Sequence, residues 1–152
     1  MRLDETDKRI LQLLQHDSKI TTKEISYRLE LSMTAIHERI KKLEREKIIA
    51  NYVAILDKEK VEKNFMVFCH VKLIQHTKEN VSKFEREILK LEEVLECFHV
   101  SGDYDYILKV YVKNMKAYRS FLVNKLTALN GIGSTQSTFM INEVKNSTNI
   151  QL

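Results

Sequence analysis

Thr34, His37, Glu38 and Lys41 recur on one side of residues 33–45, with Met33 and Arg45 beside them. A hydroxyl, an imidazole, a carboxylate and an ammonium on one helix face can hydrogen-bond the edges of nucleic-acid bases. Lys23, Ser32, Arg39 and Lys42 are of types that hold phosphate, through charge, a hydroxyl or a helix N-terminus. Arg39, Lys41, Lys42, Arg45 and Lys47 concentrate basic charge in the second half of this stretch. The plainer reading is a solvated basic face, with Arg39 paired to Glu38 or Glu44 and only steadying its helix. Two other constellations invite chemistry and carry less. Cys69, His70, Cys97 and His99 suggest a metal, but adjacent strand residues point to opposite faces, so Cys69 and His70 cannot share an ion. Cys97, His99 and His70 could share a face, though one expected to be buried, so core thiols and interface histidines are expected and no metal. Asp103 and Asp105 form a carboxylate pair without a base, nucleophile or phosphate loop, and no enzyme is expected.

The first set needs two helices and a turn. Thr21 or Thr22 can cap a helix whose apolar side is Ile25 and Leu29. Glu30-Leu31-Ser32 breaks the pattern, and Ser32 caps a longer helix with Ile36, Ile40 and Leu43 inward. Upstream, acidic residues at 4–7 open a helix with Ile10, Leu11 and Leu14 inside. The layout is a helix-turn-helix. Residues 48–56 are β-prone and are expected to form a two-stranded wing turning at Asn51. The expected divisions are 1–56 for this domain, 57–64 for a charged hinge, and 65–152 for a second domain.

In the second domain, strands are expected at 65–74, 94–101, 104–113 and 134–144, with helices between the first and second and between the third and fourth. Thr77 or Asn80 caps the first of these helices and Asn114 the second. The order β-α-β-β-α-β is ferredoxin-like, and the fold class is α+β. Both helices should cover one sheet face. Phe68, His70, Cys97, His99, Ile107 and Tyr111 are expected on the other, a half-apolar surface suited to a second copy. Residues 145–152 read as a polar tail.

Composition agrees. Apolar content of 43% with 30% charged is ordinary for a globular chain of 152 residues. The net charge is only +4, with 14 basic and 12 acidic residues in 1–64 and 11 and 9 after, so local placement carries more than the total. No apolar run suits a bilayer span, the charged N-terminus is no signal peptide, and two cysteines make no disulfide scaffold. A cytoplasmic protein is expected. Three glycines and no proline leave turns to Asn, Asp, Ser and Glu.

The chain resembles the Lrp/AsnC (feast/famine) family of transcription regulators. The residues that carry the likeness are LDETDKRILQLLQHDSK at 3–19, EISYRLELSMTAIHERIKKLEREKII at 24–49, 52–57, and SGDYDYILKVYV at 101–112. The family's Arg-x-x-x-Leu-Glu register falls on Arg39, Leu43 and Glu44. Met33 replaces a usual proline after the cap, Asn51 a common glycine, and Lys58 a common proline. The resemblance implies a winged helix-turn-helix joined to a RAM-type sensing domain and binding to double-stranded DNA. It also implies homodimers, often joined as octamers, and an amino-acid effector bound near Gly102, Asp103, Tyr104 and Asp105, with Ser134, Thr135 and Gln136 completing the cleft. The two aspartates could meet an ammonium, and the glycine lets backbone approach. By residues alone, Gly-Asp is simply a hairpin turn. The implied function is a sequence-specific regulator tuned by a small molecule, associated with the nucleoid. The alternative is an architectural DNA protein that needs no ligand.

Overall fold

The computed structural model describes residues 2–152, which form two compact units. One runs to Ile55 and takes in Val144–Leu152 from the far end of the chain; the other is Leu56–Glu143.

The first unit holds α1 (Glu5–His16), α2 (Thr22–Leu29) and α3 (Met33–Arg45). Each has a side-chain N-cap that satisfies a first-turn N–H: Asp4 accepts from Asp7, Thr21 from Glu24 and Ser32 from Ala35. The first two are full capping boxes. Glu30 takes the left-handed conformation, φ 54° and ψ 40°, and so ends α2. Ser26 Oγ donates to the Leu31 carbonyl across the turn. Ile10, Leu11, Ile25, Ile36 and Leu43 are buried together, with Leu29, Ile40, Ile48 and Ile49 packed around them.

The expected wing does not form. Ile48 and Ile49 both donate their N–H to the Leu43 carbonyl and close the end of α3, packing on the core. Residues 51–56 then run without strand pairing. Asn51 Oδ1 accepts the Tyr52 N–H at 2.9 Å instead of turning a hairpin. β-propensity is overridden here because Ile48 and Ile49, the first arm of the expected ribbon, are taken up in closing α3 and packing on the core. The C-terminal segment comes back instead. Gln15 Nε2 donates to the Ile150 carbonyl at 3.0 Å and Gln15 Oε1 accepts the Ile150 N–H at 2.7 Å. An open groove of about 650 Å³ beside it is lined by Leu11, Leu14, Ile49, Val53, Ile150 and Leu152 among others.

The second unit is an antiparallel sheet of β1 (Phe65–Leu73), β2 (Val94–His99), β3 (Tyr106–Val112) and β4 (Ile132–Phe139) in the order β2-β3-β1-β4. On one face lie α4 (Lys78–Ile88), capped by Thr77, and α5 (Met115–Phe121), capped by Asn114 and continued by a π-helical turn at Leu122–Leu126. The core between them buries Val67, Cys69 and Val71, then Leu108 and Val110, against Phe84, Ile88, Phe121 and Leu126. Asp57 to Lys63 winds into turns, and Lys58 Nζ lies 4.8 Å from the centre of the Tyr111 ring and 3.1 Å from Glu143 Oε1.

One strand departs from its expected phase. Val94 pairs with Val110, but Glu96 pairs with Lys109, so the register shifts at Leu95. The extra residue reverses every later side chain. Cys97 lies opposite the buried Leu108 and His99 opposite Tyr106, on the helix-covered side, while Phe98 stands with Ile107 on the open face. Cys97 and His99 therefore leave the face where simple alternation puts them, and His70, opposite Ile107, is separated from both. No described helix is long and apolar enough to cross a membrane.

Truncation after Glu143 removes the Ile150 hydrogen bonds and uncovers the groove. A loss of about 1–2 kcal/mol is expected, a few degrees in Tm by calorimetry, whereas unchanged melting would show that the segment only rests there.

Candidate nucleic-acid interface and effector site

Because Ile36, Ile40 and Leu43 face the core, the opposite side of α3 is turned out. Thr34, His37, Glu38, Lys41 and Lys42 are all exposed, as are Ser32 and, on α2, Lys23. Seven of the eight expected contact residues are thus presented to solvent. Lys41 Nζ reaches Glu44 at 3.0 Å, which with the Tyr52 hydroxyl holds the Glu44 carboxyl below its ordinary range. Lys42 makes no ion pair among the described residues.

Arg39 is the eighth; it is half-buried and paired within the unit. Its guanidinium donates to Asp4 and to Asp7 at the start of α1, each at 2.7 Å. Neither Glu38 nor Glu44 is its partner. Asp7 is 2% exposed and is the one buried charged residue among the described residues. The Asp7 N–H and Arg39 together keep the Asp4 carboxyl below its usual value. Sequence reasoning missed this pairing because it spans 32 and 35 residues between separate helices; the signal was a pair of carboxylates three apart, Asp4 at the cap and Asp7 in the first turn.

In the second unit, Gly102 turns the chain at φ 130°, a conformation that glycine adopts without a Cβ clash. Asp103 is exposed. The Tyr104 hydroxyl donates to Gln136 Oε1, so the loop and β4 do meet. Around them are His70, whose ring centre is 5.3 Å from that of Tyr104, and Thr138, 3.4 Å from His70 Nε2. Neither was expected in the site. Alternation along β1 put His70 on the open face, but only the β1–β4 register sets Gln136 opposite it. Ser134 shares this face, opposite Lys72. Thr135 is opposite Val71 and so belongs to the helix-covered side, away from Gln136. Asp105 is partly withdrawn as well: Oδ2 accepts the Leu73 N–H at 2.7 Å and Oδ1 lies 3.1 Å from His76 Nδ1. The Leu73 N–H, then His76, hold its pKa below the ordinary value against some desolvation. The open face therefore gathers Tyr104, Gln136, His70 and Thr138 into a polar patch, with Asp103 at its loop.

Residues 3–44 match the AsnC-type helix-turn-helix domain, and residues 66–150 match the Lrp/AsnC ligand binding domain. The chain belongs to the Lrp/AsnC family. The leucine-responsive regulatory protein of Escherichia coli is 38% identical over 148 residues, 97% of this chain and 90% of that protein. A transcriptional regulator from Neisseria meningitidis, solved in complex with L-Met, is 34% identical with a TM-score of 0.94, covering 98% of this chain and 96% of that one. An AsnC family transcriptional regulator from Agrobacterium tumefaciens is 31% identical with a TM-score of 0.92, covering 97% and 96%. This Lrp/AsnC protein is accordingly a DNA-binding transcriptional regulator with a ligand-binding domain. It is not an enzyme: its relatives are regulators, and its chemistry is recognition.

Replacing Arg39 by Ala leaves the Asp7 carboxylate buried without its partner. A stability loss of about 2 kcal/mol is expected in chemical denaturation, less than for a fully buried pair because Arg39 is one-third exposed. A neutral result would show that water replaces the guanidinium. Asp105 has a lowered pKa when folded, so its contribution is present above the ordinary value of 3.8 and is lost as pH falls through the lower folded value. Asp105→Asn should therefore flatten the acid limb of the stability profile below about pH 4; an identical limb would contradict the Leu73 lock.

Proposed function

We propose that this regulator binds specific duplex sites through the outer face of α3 and that an amino acid modulates its DNA affinity or assembly. The carrying observation is the division of α3: Ile36 and Leu43 are fully buried, while Thr34, His37, Glu38 and Lys41 stand clear of the unit. In helix-turn-helix proteins the first turns of the second helix meet base edges in the major groove. Thr34, His37, Glu38 and Lys41 are assigned to bases, and Ser32, Lys42 and Lys23 to phosphates. Arg39 positions the helix through Asp4 and Asp7 instead of touching phosphate.

The effector reading is supported by the L-Met bound to the Neisseria relative and by the patch of Tyr104, Gln136 and His70. A free amino acid needs acceptors for its ammonium and donors for its carboxylate. Asp103 offers the first, and the Gln136 amide N–H groups, His70 and Ser134 offer donors, with the Tyr104 hydroxyl orienting Gln136; Gly102 keeps backbone accessible. Asp105 braces the loop, and Thr135 supports β4 from the other side. Partner copies are assigned to the open sheet face, where Phe98 is 48% exposed and Phe68 and Ile107 are half-buried. A homodimer there, closing to an octamer, hides that surface. Such a protein works where the DNA is, in the cytoplasm.

Lys42→Ala should weaken every duplex alike and lower the slope of log affinity against log salt by about one, while Glu38→Ala should relax preference at one base pair. Gel-shift titrations across salt read both; two unchanged variants would count against α3. A thermal-shift screen of the twenty amino acids reads the effector as a raised Tm, followed by sedimentation with and without the hit. Tight DNA binding with no response to any amino acid would favour the ligand-independent architectural protein.

A further inference from the structure

We propose that Met33 reads the C5-methyl group of thymine and makes this regulator prefer thymine at one position of each half-site. The inference rests on α3 entering the major groove, and it adds a contact of a different kind from the hydrogen bonds assigned above.

Met33 is the first residue of α3 and is 56% exposed. The core of its unit is complete without it, since Ile10, Leu11, Ile25, Ile36 and Leu43 close on one another. Ser32 fixes the direction of the first turn by accepting the Ala35 N–H at 3.2 Å. His37 and Lys41 follow Met33 at intervals of four, so the three line one edge of the exposed face. Leu31, just before the cap, is 36% exposed. Met33 is not among the residues packed on that core, so its apolar side chain stands free at the leading end of a polar reading face. The major groove offers one apolar group on its base edges, the methyl of thymine, and cytosine lacks it. A long, unbranched and polarisable thioether reaches such a group with little steric demand.

The test starts by selecting binding sites for the full-length protein from random duplexes. Each thymine of the selected site is then replaced by uracil, which removes the methyl and leaves pairing and groove hydrogen bonds unchanged. For the unaltered protein, one such replacement per half-site should weaken binding about fourfold, the worth of one buried methyl. Met33→Ala should bind the thymine and uracil duplexes equally, and Met33→Leu should keep the discrimination. Melting of the Ala variant reports that it is folded; the residue is exposed, so no change is expected. If no uracil replacement matters, or if one matters equally in the Ala variant, the proposal is overturned while the protein's salt-dependent duplex binding leaves the regulator reading intact. Failure to select any site would overturn both.

Discussion

A single guanidinium decides how the recognition helix is held. Arg39 lies on the flank of α3, between the side buried by Ile36 and Leu43 and the side left to solvent. Its two bonds run to Asp4 and Asp7, the carboxylates that also cap α1. The cap of one helix and the rotation of another are therefore one arrangement. Hydrophobic burial alone tolerates some turning of a helix about its axis, because it is non-directional. A pair of charge-assisted hydrogen bonds at 2.7 Å does not. The same contact offsets one of the two carboxylate charges at the opening of α1, and Lys42, which makes no ion pair among the described residues, stays exposed on α3.

The sheet depends on a comparable local decision. One extra residue at Leu95 turns Cys97 and His99 to the helix side and Phe98 to the open side. That shift removes the only set of thiol and imidazole groups that alternation could have converged, and it gives the open face an aromatic residue in its place. His99 instead stacks on Tyr106, with ring centres 4.6 Å apart, and the Tyr106 hydroxyl donates to Glu85. Burial and that carboxylate push the Tyr106 phenol well above its ordinary range, so it stays a neutral donor.

What was legible in the sequence follows from range. The helices were readable because their caps and apolar intervals are local: Thr21, Ser32, Thr77 and Asn114 cap where hydroxyl and amide residues precede periodic segments. Strand order was readable from motif arrangement, since βαββαβ leaves few ways to pair. The features that were not readable are those fixed across the chain. The bulge in β2 depends on its neighbour's register, and the fate of 48–56 depends on Leu43 having a carbonyl to spare. The return of Ile150 to Gln15 spans 135 residues, and no local pattern announces it. At the two candidate sites, the exposure of Thr34, His37, Glu38 and Lys41 was legible because burial and exposure alternate predictably along a helix; the surroundings of Arg39, Asp105 and Thr135 were not, because each answers to a partner distant in sequence.

The proposed bound state places the outer face of α3 in a duplex groove while its flank stays pinned to α1. Photo-crosslinkers placed singly at 34, 38 and 41, with a control at 95 on exposed β2, test it directly in the full-length protein bound to a selected duplex. Covalent capture of DNA is expected from the three helix positions and none from the control. Capture from position 95 with silence from α3 would contradict it.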